Sequence, residues 1–336
     1  MAIHFNDLLM PATRASSIAL RVLAIVWVST SAPASPALDR NDVARQLHDL
    51  DCLQVSASDV KSTLSRGSAP RVIALQGSVP IVTMEPFVEF LEAMGYPSAQ
   101  LEQSGSAART TSSFIDSRRL AGQLAWYYEN EGLMPMLIGH SQGGMVIIKL
   151  LHDLAATGEA PPIPVWNPSR DAPESRTTII DPESGALRPV TGLKVGFAAA
   201  LVTGSLPRLL LGQWGILPLL RSVPDSIVDF TGFAIPWDPI AGTGATPAPY
   251  RAIGTARVRN VVLPVSYSHI GLPRAAHLAA QPATRKWIED YVPGTLDPVP
   301  ADVDTSNLLH AADIWYSVKR NWCEAAKRVA ARGQLR

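Results

Sequence analysis

The sequence predicts an α/β protein built on a mostly parallel sheet flanked by helices. Three observations carry this. Continuous apolar runs at Arg71–Gln76, Met136–His140 and Leu193–Val202 suit strands buried on both faces. Segments with apolar residues at helical spacing alternate with them, an order that calls for a parallel sheet with crossover connections. The central run ends in Gly139-His140-Ser141-Gln142-Gly143, a G-x-S-x-G turn leading straight into the apolar-periodic Val146, Ile147, Leu150, Leu151 and Leu154. A serine at the tip of so sharp a turn needs a positive φ, and a side chain two residues to either side would collide across it.

Length and composition bound the rest. The chain has 336 residues, 47% of them hydrophobic and 17% charged, with 29 basic side chains against 29 acidic ones. Nothing in that balance points to nucleic acid or an acidic substrate. Arg14 and Arg21 precede a short apolar run, Val22 to Val28, and two small-x-small sites follow, Ala32-Pro33-Ala34 and Ser35-Pro36-Ala37. Residues 1–37 are read as a secretory signal peptide, which implies export to the periplasm or beyond. The run is too short to span a bilayer, so no transmembrane helix is expected.

Residues 38–69 carry no strand-like run and are read as a helical extension, with Ser58-Asp59-Val60 opening a short helix that ends near Gly67. After the strand at 71–76, Phe87, Phe90, Leu91 and Met94 mark a helix closed by Gly95. Residues 98–111 read as loop, and a second helix runs from about Ser113 to Glu131. Between Thr157 and Thr191 seven prolines break regular structure; this is read as an insertion, in which Arg176–Ile180 and Ala186–Val190 pair as a hairpin. Leu206 to Asp225 is apolar on every side but interrupted by Gly212, Gly215 and Pro218. Two readings stay open there: a core helix, or a lid and acyl-binding wall in which Trp214 and Leu217 bind substrate. Strands follow at Ile227–Ile235 and Val258–Tyr267, then a helix at Pro282–Tyr291. The body thus spans 70–292, and residues 293–336 form a Pro/Asp linker and an amphipathic helix with a basic end.

Gly139–Gly144 after such a strand resembles the nucleophile turn of α/β-hydrolases, in particular their lipase and esterase branch. The resemblance implies the α/β-hydrolase fold with a cap or lid insertion, in the shorter form that lacks the first two strands. It also implies a Ser, Asp/Glu, His order at successive strand ends. Ser141 is then the nucleophile. Of the histidines, His269, His277 and His310 follow a plausible acid, but only His269 directly follows the last strand, in Ser268-His269-Ile270-Gly271-Leu272. Asp238 ends the strand before it, whereas Asp225 and Asp229 come too early. The oxyanion hole falls to the backbone N–H of Gln142 and to Ser78 or a neighbour; Gln76-Gly77 stands where the family usually has His-Gly.

A hydroxyl is a weak nucleophile until a base takes its proton and a third group orients that base. The expected activity is therefore cleavage of carboxylic esters of small-molecule or lipid type through an acyl-enzyme. Acyl transfer from the same intermediate and a silent binding protein on the same fold are the alternatives. There is no C-x-x-C, H-E-x-x-H or phosphate loop, and neither metal nor cofactor is expected. Two cysteines, Cys52 and Cys323, flank the body. In an oxidising compartment they are expected to bridge, the alternative being two buried thiols.

Overall fold

A computed structural model describes residues 40–79, 81–156, 160–204, 214–295 and 298–333. The leader 1–37 and residues 206–213 of the apolar segment lie outside them. Six strands form one wholly parallel sheet: β1 (Val72–Leu75), β2 (Thr110–Thr111), β3 (Met136–His140), β4 (Val195–Leu201), β5 (Ile227–Ala234) and β6 (Arg257–Val262). Their spatial order is β6-β5-β4-β3-β1-β2. The β3–β4 register pairs Leu137 with Ala198 and His140 with Leu201.

Among the described residues seven α-helices accompany the sheet: α1 (Arg40–Asp49), α2 (Ala57–Ser62), α3 (Glu85–Ala93), α4 (Ser117–Glu131), α5 (Gln142–Ala155), α6 (Pro282–Asp290) and α7 (Leu308–Ala331). Strand alternation sorts the core into two clusters. Val72, Ala74, Met136, Ile138, Phe197 and Ala199 pack with Phe87, Leu91, Trp315 and Trp322 from α3 and α7. Ile73, Leu75, Leu137, Ala198 and Ala200 face Leu124, Ile147 and Leu151 from α4 and α5. With both faces covered, β1 and β3 are buried from end to end, which is why they read as unbroken apolar runs.

Local signals explain most boundaries. Asp116 caps α4 by accepting from Arg118 and Arg119 N–H, and Gly132 closes that helix at φ 76°. The cap of α2 is Ser56, not Ser58: its hydroxyl accepts from Asp59 N–H while Asp59 accepts from Ser56 N–H, a reciprocal capping box. β2 falls inside the stretch read as loop, since two threonines leave no periodic trace. In the insertion, Thr178–Ile180 pairs antiparallel with Leu187–Pro189, and Trp166–Asn167 with Ala172–Pro173. The apolar segment is neither a long helix nor a regular wall where it is described: Trp214–Leu219 is a 3₁₀ turn. Its Ile216, with Leu220 beyond, is buried in the α4/α5 cluster.

Cys52 and Cys323 stand at disulfide distance, with Cα atoms 5.4 Å apart, joining the segment between α1 and α2 to α7. Lys319 Nζ donates to Val55 O at 2.7 Å, and Lys327 Nζ donates to Leu50 O. Among the described residues no helix is long and apolar enough to cross a membrane.

The bridge closes 271 residues of sequence separation. The chain-entropy model then allows a stabilisation of up to about 5 kcal/mol. Alkylation without reduction, read by mass spectrometry, should leave both cysteines unmodified, and Cys52→Ser should unfold at clearly lower denaturant than the intact chain. Two alkylated cysteines in the natively prepared protein would count against the bridge.

Candidate active site

In this strand order the chain reverses direction across the sheet between β1 and β3, and a doubly wound sheet opens a crevice beyond its carboxyl ends at that point. Ser141 sits there. It has φ 51° and ψ −114°, between the last residue of β3 and the first of α5. The turn leaves no room for side chains around it. A Cβ on Gly139 would lie 2.5 Å from the carbonyl carbon of Gly143 and the nitrogen of Gly144, and one on Gly143 would lie under 3.0 Å from the Leu75 and Gln76 carbonyl oxygens. Glycine at 139 lets the turn close on itself, and glycine at 143 lets α5 start against the end of β1.

Two neighbouring strands also leave the sheet at positive φ, with Val202 at 46° after β4 and Trp237 at 59° after β5. Such a conformation is rare for a β-branched residue and costs on the order of 1–3 kcal/mol. Hydrogen bonds between the strand ends hold these turns: Ser141 N–H donates to Leu201 O at 2.8 Å, and Val202 N–H to Phe233 O at 2.8 Å.

Asp238 follows Trp237. Its Oδ1 accepts from the Ile240 and Ala241 N–H groups at 2.9 and 3.1 Å, leaving Oδ2 for His269 Nδ1 at 2.6 Å. Burial pushes this carboxyl up, but the imidazole and the two backbone donors more than offset it, so its pKa lies below the ordinary value. With Nδ1 committed to Asp238, the ring's Nε2 is the nitrogen left for a substrate or a nucleophile. Ser141, Asp238 and His269 are all buried, at 6%, 3% and 7% exposure, low enough to exclude most bulk water from their polar atoms. Among the described residues the Ser141 hydroxyl has no hydrogen-bond partner.

Gly77, in the loop after β1, overlies Ser141: a Cβ there would lie 3.0 Å from His140 Nδ1 and 3.3 Å from Ser141 Cβ. Ser113 ties this loop to the turn. Its hydroxyl donates to Gly77 O at 3.0 Å and its carbonyl accepts from Gln142 Nε2 at 3.2 Å. Because a trans peptide points its C=O and N–H to opposite sides, the Gly77 bond turns the Ser78 N–H away from Ser113. The Gln142 N–H belongs to the first turn of α5, where no intrahelical acceptor exists.

The sequence matches no family model and no curated protein.

His277 is set apart from this group. It is exposed and bonds Ser306 Oγ at 2.9 Å. Leu217 is half-buried, and Trp214 begins the 3₁₀ turn. A cavity of about 320 Å³ beside the turn is lined instead by Ser113, Phe114, Ile115, Met145, Val146 and Ile216 among others. Among the described residues no cluster of side chains is arranged to hold a metal.

Sequence reasoning missed His140, although it occupies the variable position of the motif. Its Nε2 lies 2.8 Å from His269 O; since a carbonyl only accepts, Nε2 carries the proton. Its Nδ1 is buried without a partner. Burial first, then the neighbouring His269, lowers its pKa from 6.5 to about 3. Unfolding restores the ordinary value, so between pH 6.5 and about 3 the unfolded chain binds the extra proton and stability falls as pH drops through that window. Asp238, with its lowered pKa, acts with the same sign, its contribution being lost as pH falls below the ordinary carboxylate range. Urea unfolding across this pH range should therefore show a flatter acid limb in His140→Gln, which keeps an N–H donor but does not titrate. An unchanged limb would mean that His140 is not held neutral by burial.

Proposed function

We propose that this chain is an exported α/β-hydrolase that cleaves carboxylic esters through an acyl-enzyme on Ser141. The observation that carries the reading is the 2.6 Å bond from His269 Nδ1 to buried Asp238, made at the carboxyl edge of the sheet where Ser141 is held at positive φ. Orientation of an imidazole by a carboxylate serves a base that must present its other nitrogen. The strand order supports the fold assignment, and the pair Cys52 and Cys323, together with the 1–37 leader, supports export.

In this mechanism Ser141 Oγ attacks the ester carbonyl carbon while His269 Nε2 takes its proton. Asp238 stabilises the imidazolium without accepting that proton. The Gln142 N–H, with that of Ser78, receives the developing oxyanion, each such donor contributing about 3–4 kcal/mol to the transition state. The tetrahedral intermediate collapses, the C–O bond to the alcohol breaks, and His269 returns the proton to the leaving oxygen. Water then repeats the sequence on the acyl-enzyme, releasing the acid and restoring Ser141.

Apolar acyl groups suit the surroundings. The cavity lined by Met145, Val146 and Ile216, and also by Ser117 and Lys149, begins four residues along α5 from Ser141 and is of a size that takes a short acyl chain. Val79, Ile81, Trp237, Ile240, Val265 and Ile270 are exposed on loops that leave the carboxyl ends of β1, β5 and β6.

Purified protein should hydrolyse p-nitrophenyl esters and take a fluorophosphonate at Ser141. Ser141→Ala and His269→Ala should each lose about 10³-fold or more in kcat, because the triad acts as a unit. His277→Ala should stay near the parent rate. Full labelling of Ser141→Ala would sink the assignment, and a silent His277→Ala alongside an active His269→Ala would move the base elsewhere. Ile216→Trp should shift the preferred acyl length downwards; an unchanged length profile would place the acyl group outside this cavity.

A further inference from the structure

The histidine loop is a single tight turn, with Gly271 and Leu272 N–H both donating to Ser268 O. Four of its carbonyls accept from side chains that come from two distant parts of the chain, and one of them, Gly271 O, also accepts from Arg274 N–H at 2.9 Å. His140 donates to His269 O at 2.8 Å. Asn307 Nδ2 donates to Gly271 O at 2.9 Å and to Arg274 O at 3.0 Å. His310 Nε2 donates to Leu272 O at 2.8 Å. The last two residues open α7, outside the segment that carries the nucleophile, acid and base.

His310 is fully buried, within ring-contact distance of Phe87, Phe233 and Tyr267. Packing alone calls for Phe or Leu in such a site. Instead the position holds an imidazole whose Nδ1 has no partner, an arrangement that leaves a buried polar atom at a cost of about 1–3 kcal/mol. Asn307 is likewise kept at φ 59°, a left-handed conformation that Asn tolerates better than most residues. Both positions thus give up stability and both spend their donors on the loop that carries His269.

The holder is itself fixed. Beyond His310, α7 is joined to Cys52 through Cys323, and Lys319 Nζ donates to Val55 O and Glu289 O. Tyr267, just before the loop, donates its hydroxyl to Thr305 O and accepts from Leu309 N–H. A base must be held to within a fraction of an ångström of its working geometry, and a turn of this length has too few backbone bonds to do so alone.

We propose that Asn307 and His310 are positioning residues for His269, holding the carbonyl side of its loop so that the ring stays aligned on Asp238 with Nε2 directed at the nucleophile. This rests on the esterase reading above. Neither residue touches substrate; both act through the loop.

The test uses the full-length, disulfide-intact chain in three variants. His310→Leu fills the apolar site without a donor, His310→Gln retains an N–H donor, and Asn307→Gly removes the amide while accepting the positive φ. Measured are kcat and KM on a p-nitrophenyl ester, the melting temperature, and hydrogen exchange at amides 268–275. His310→Leu and Asn307→Gly should lose about ten- to a hundredfold in kcat with KM little changed, and exchange across the loop should quicken. His310→Gln should recover most of the lost rate. Parent-like kcat in His310→Leu and Asn307→Gly overturns the proposal, as does a Gln variant no better than Leu. Should His310→Leu fail to fold, parent-like kcat in Asn307→Gly, or a loss in His310→Gln as large as that in Asn307→Gly, overturns the proposal. If the parent chain neither turns over ester nor takes fluorophosphonate, the esterase reading fails. Exchange then decides the loop role: unchanged protection at 268–275 in Asn307→Gly overturns it, and faster exchange confined to those amides upholds it.

Discussion

The contact on which this site depends is between two stretches of backbone. The first turn of α5 lies so close to the end of β1 that a Cβ on Gly143 would press into the Leu75 and Gln76 carbonyl oxygens. That closeness brings the loop after β1 over Ser141 and sets Gly77 against both His140 and the serine. It also forces the chain to leave β3 at a positive φ, because no ordinary strand-to-helix connection turns so sharply. An N-terminal helix turn, a second loop's backbone and an isolated hydroxyl therefore share one small volume. Backbone N–H groups crowded there are natural acceptors of negative charge, since the amino end of a helix carries the positive end of its dipole.

Strain of this kind persists only where the surroundings over-determine it. Here the strained residues occur side by side, at the ends of the adjacent strands β3, β4 and β5, and the backbone bonds from Ser141 to Leu201 and from Val202 to Phe233 lock each exit to its neighbour. The sheet therefore acts as a rigid ruler: the spacing of its strand ends sets the spacing of Ser141 and Asp238. His269 is different. β6 ends at Val262, seven residues earlier, and the connection between is irregular. Side chains must supply there the precision that the sheet supplies elsewhere.

That division explains what was legible in the sequence. The parallel sheet could be read because strands buried on both faces leave unbroken apolar text, and the Ser141 turn because sterics demand glycine at fixed offsets. Asp238 could be nominated from its place after a strand; His269 could be nominated from a strand read as running to Tyr267, which ends instead at Val262, yet the structure joins the two at 2.6 Å. What stayed hidden was small or non-local. β2 has two residues, the α2 cap sits two positions earlier than its reading, and Ile216, not Leu217, faces the cavity. His140, Asn307, His310 and Ser113 carry no pattern of their own. Their roles come from hydrogen bonds spanning 29 to 129 positions, which no local window contains.

His140 and His310 show how burial selects a protonation state for such work. Each is neutral over the range in which an ordinary histidine titrates, His140 with its pKa near 3 and His310 near 4, in both cases chiefly because burial opposes charge. A neutral ring with one N–H and one bare nitrogen is a directional donor that adds no positive charge beside His269. A lysine or arginine in either place would donate equally well, but its charge would disfavour any positive charge gained by His269. A serine or threonine would avoid the charge but is too short to fill the space between Phe87 and Phe233 and still reach Leu272 O. Histidine held neutral by burial meets both demands, and the same reasoning connects the apolar packing of α7 to the electrostatics around His269.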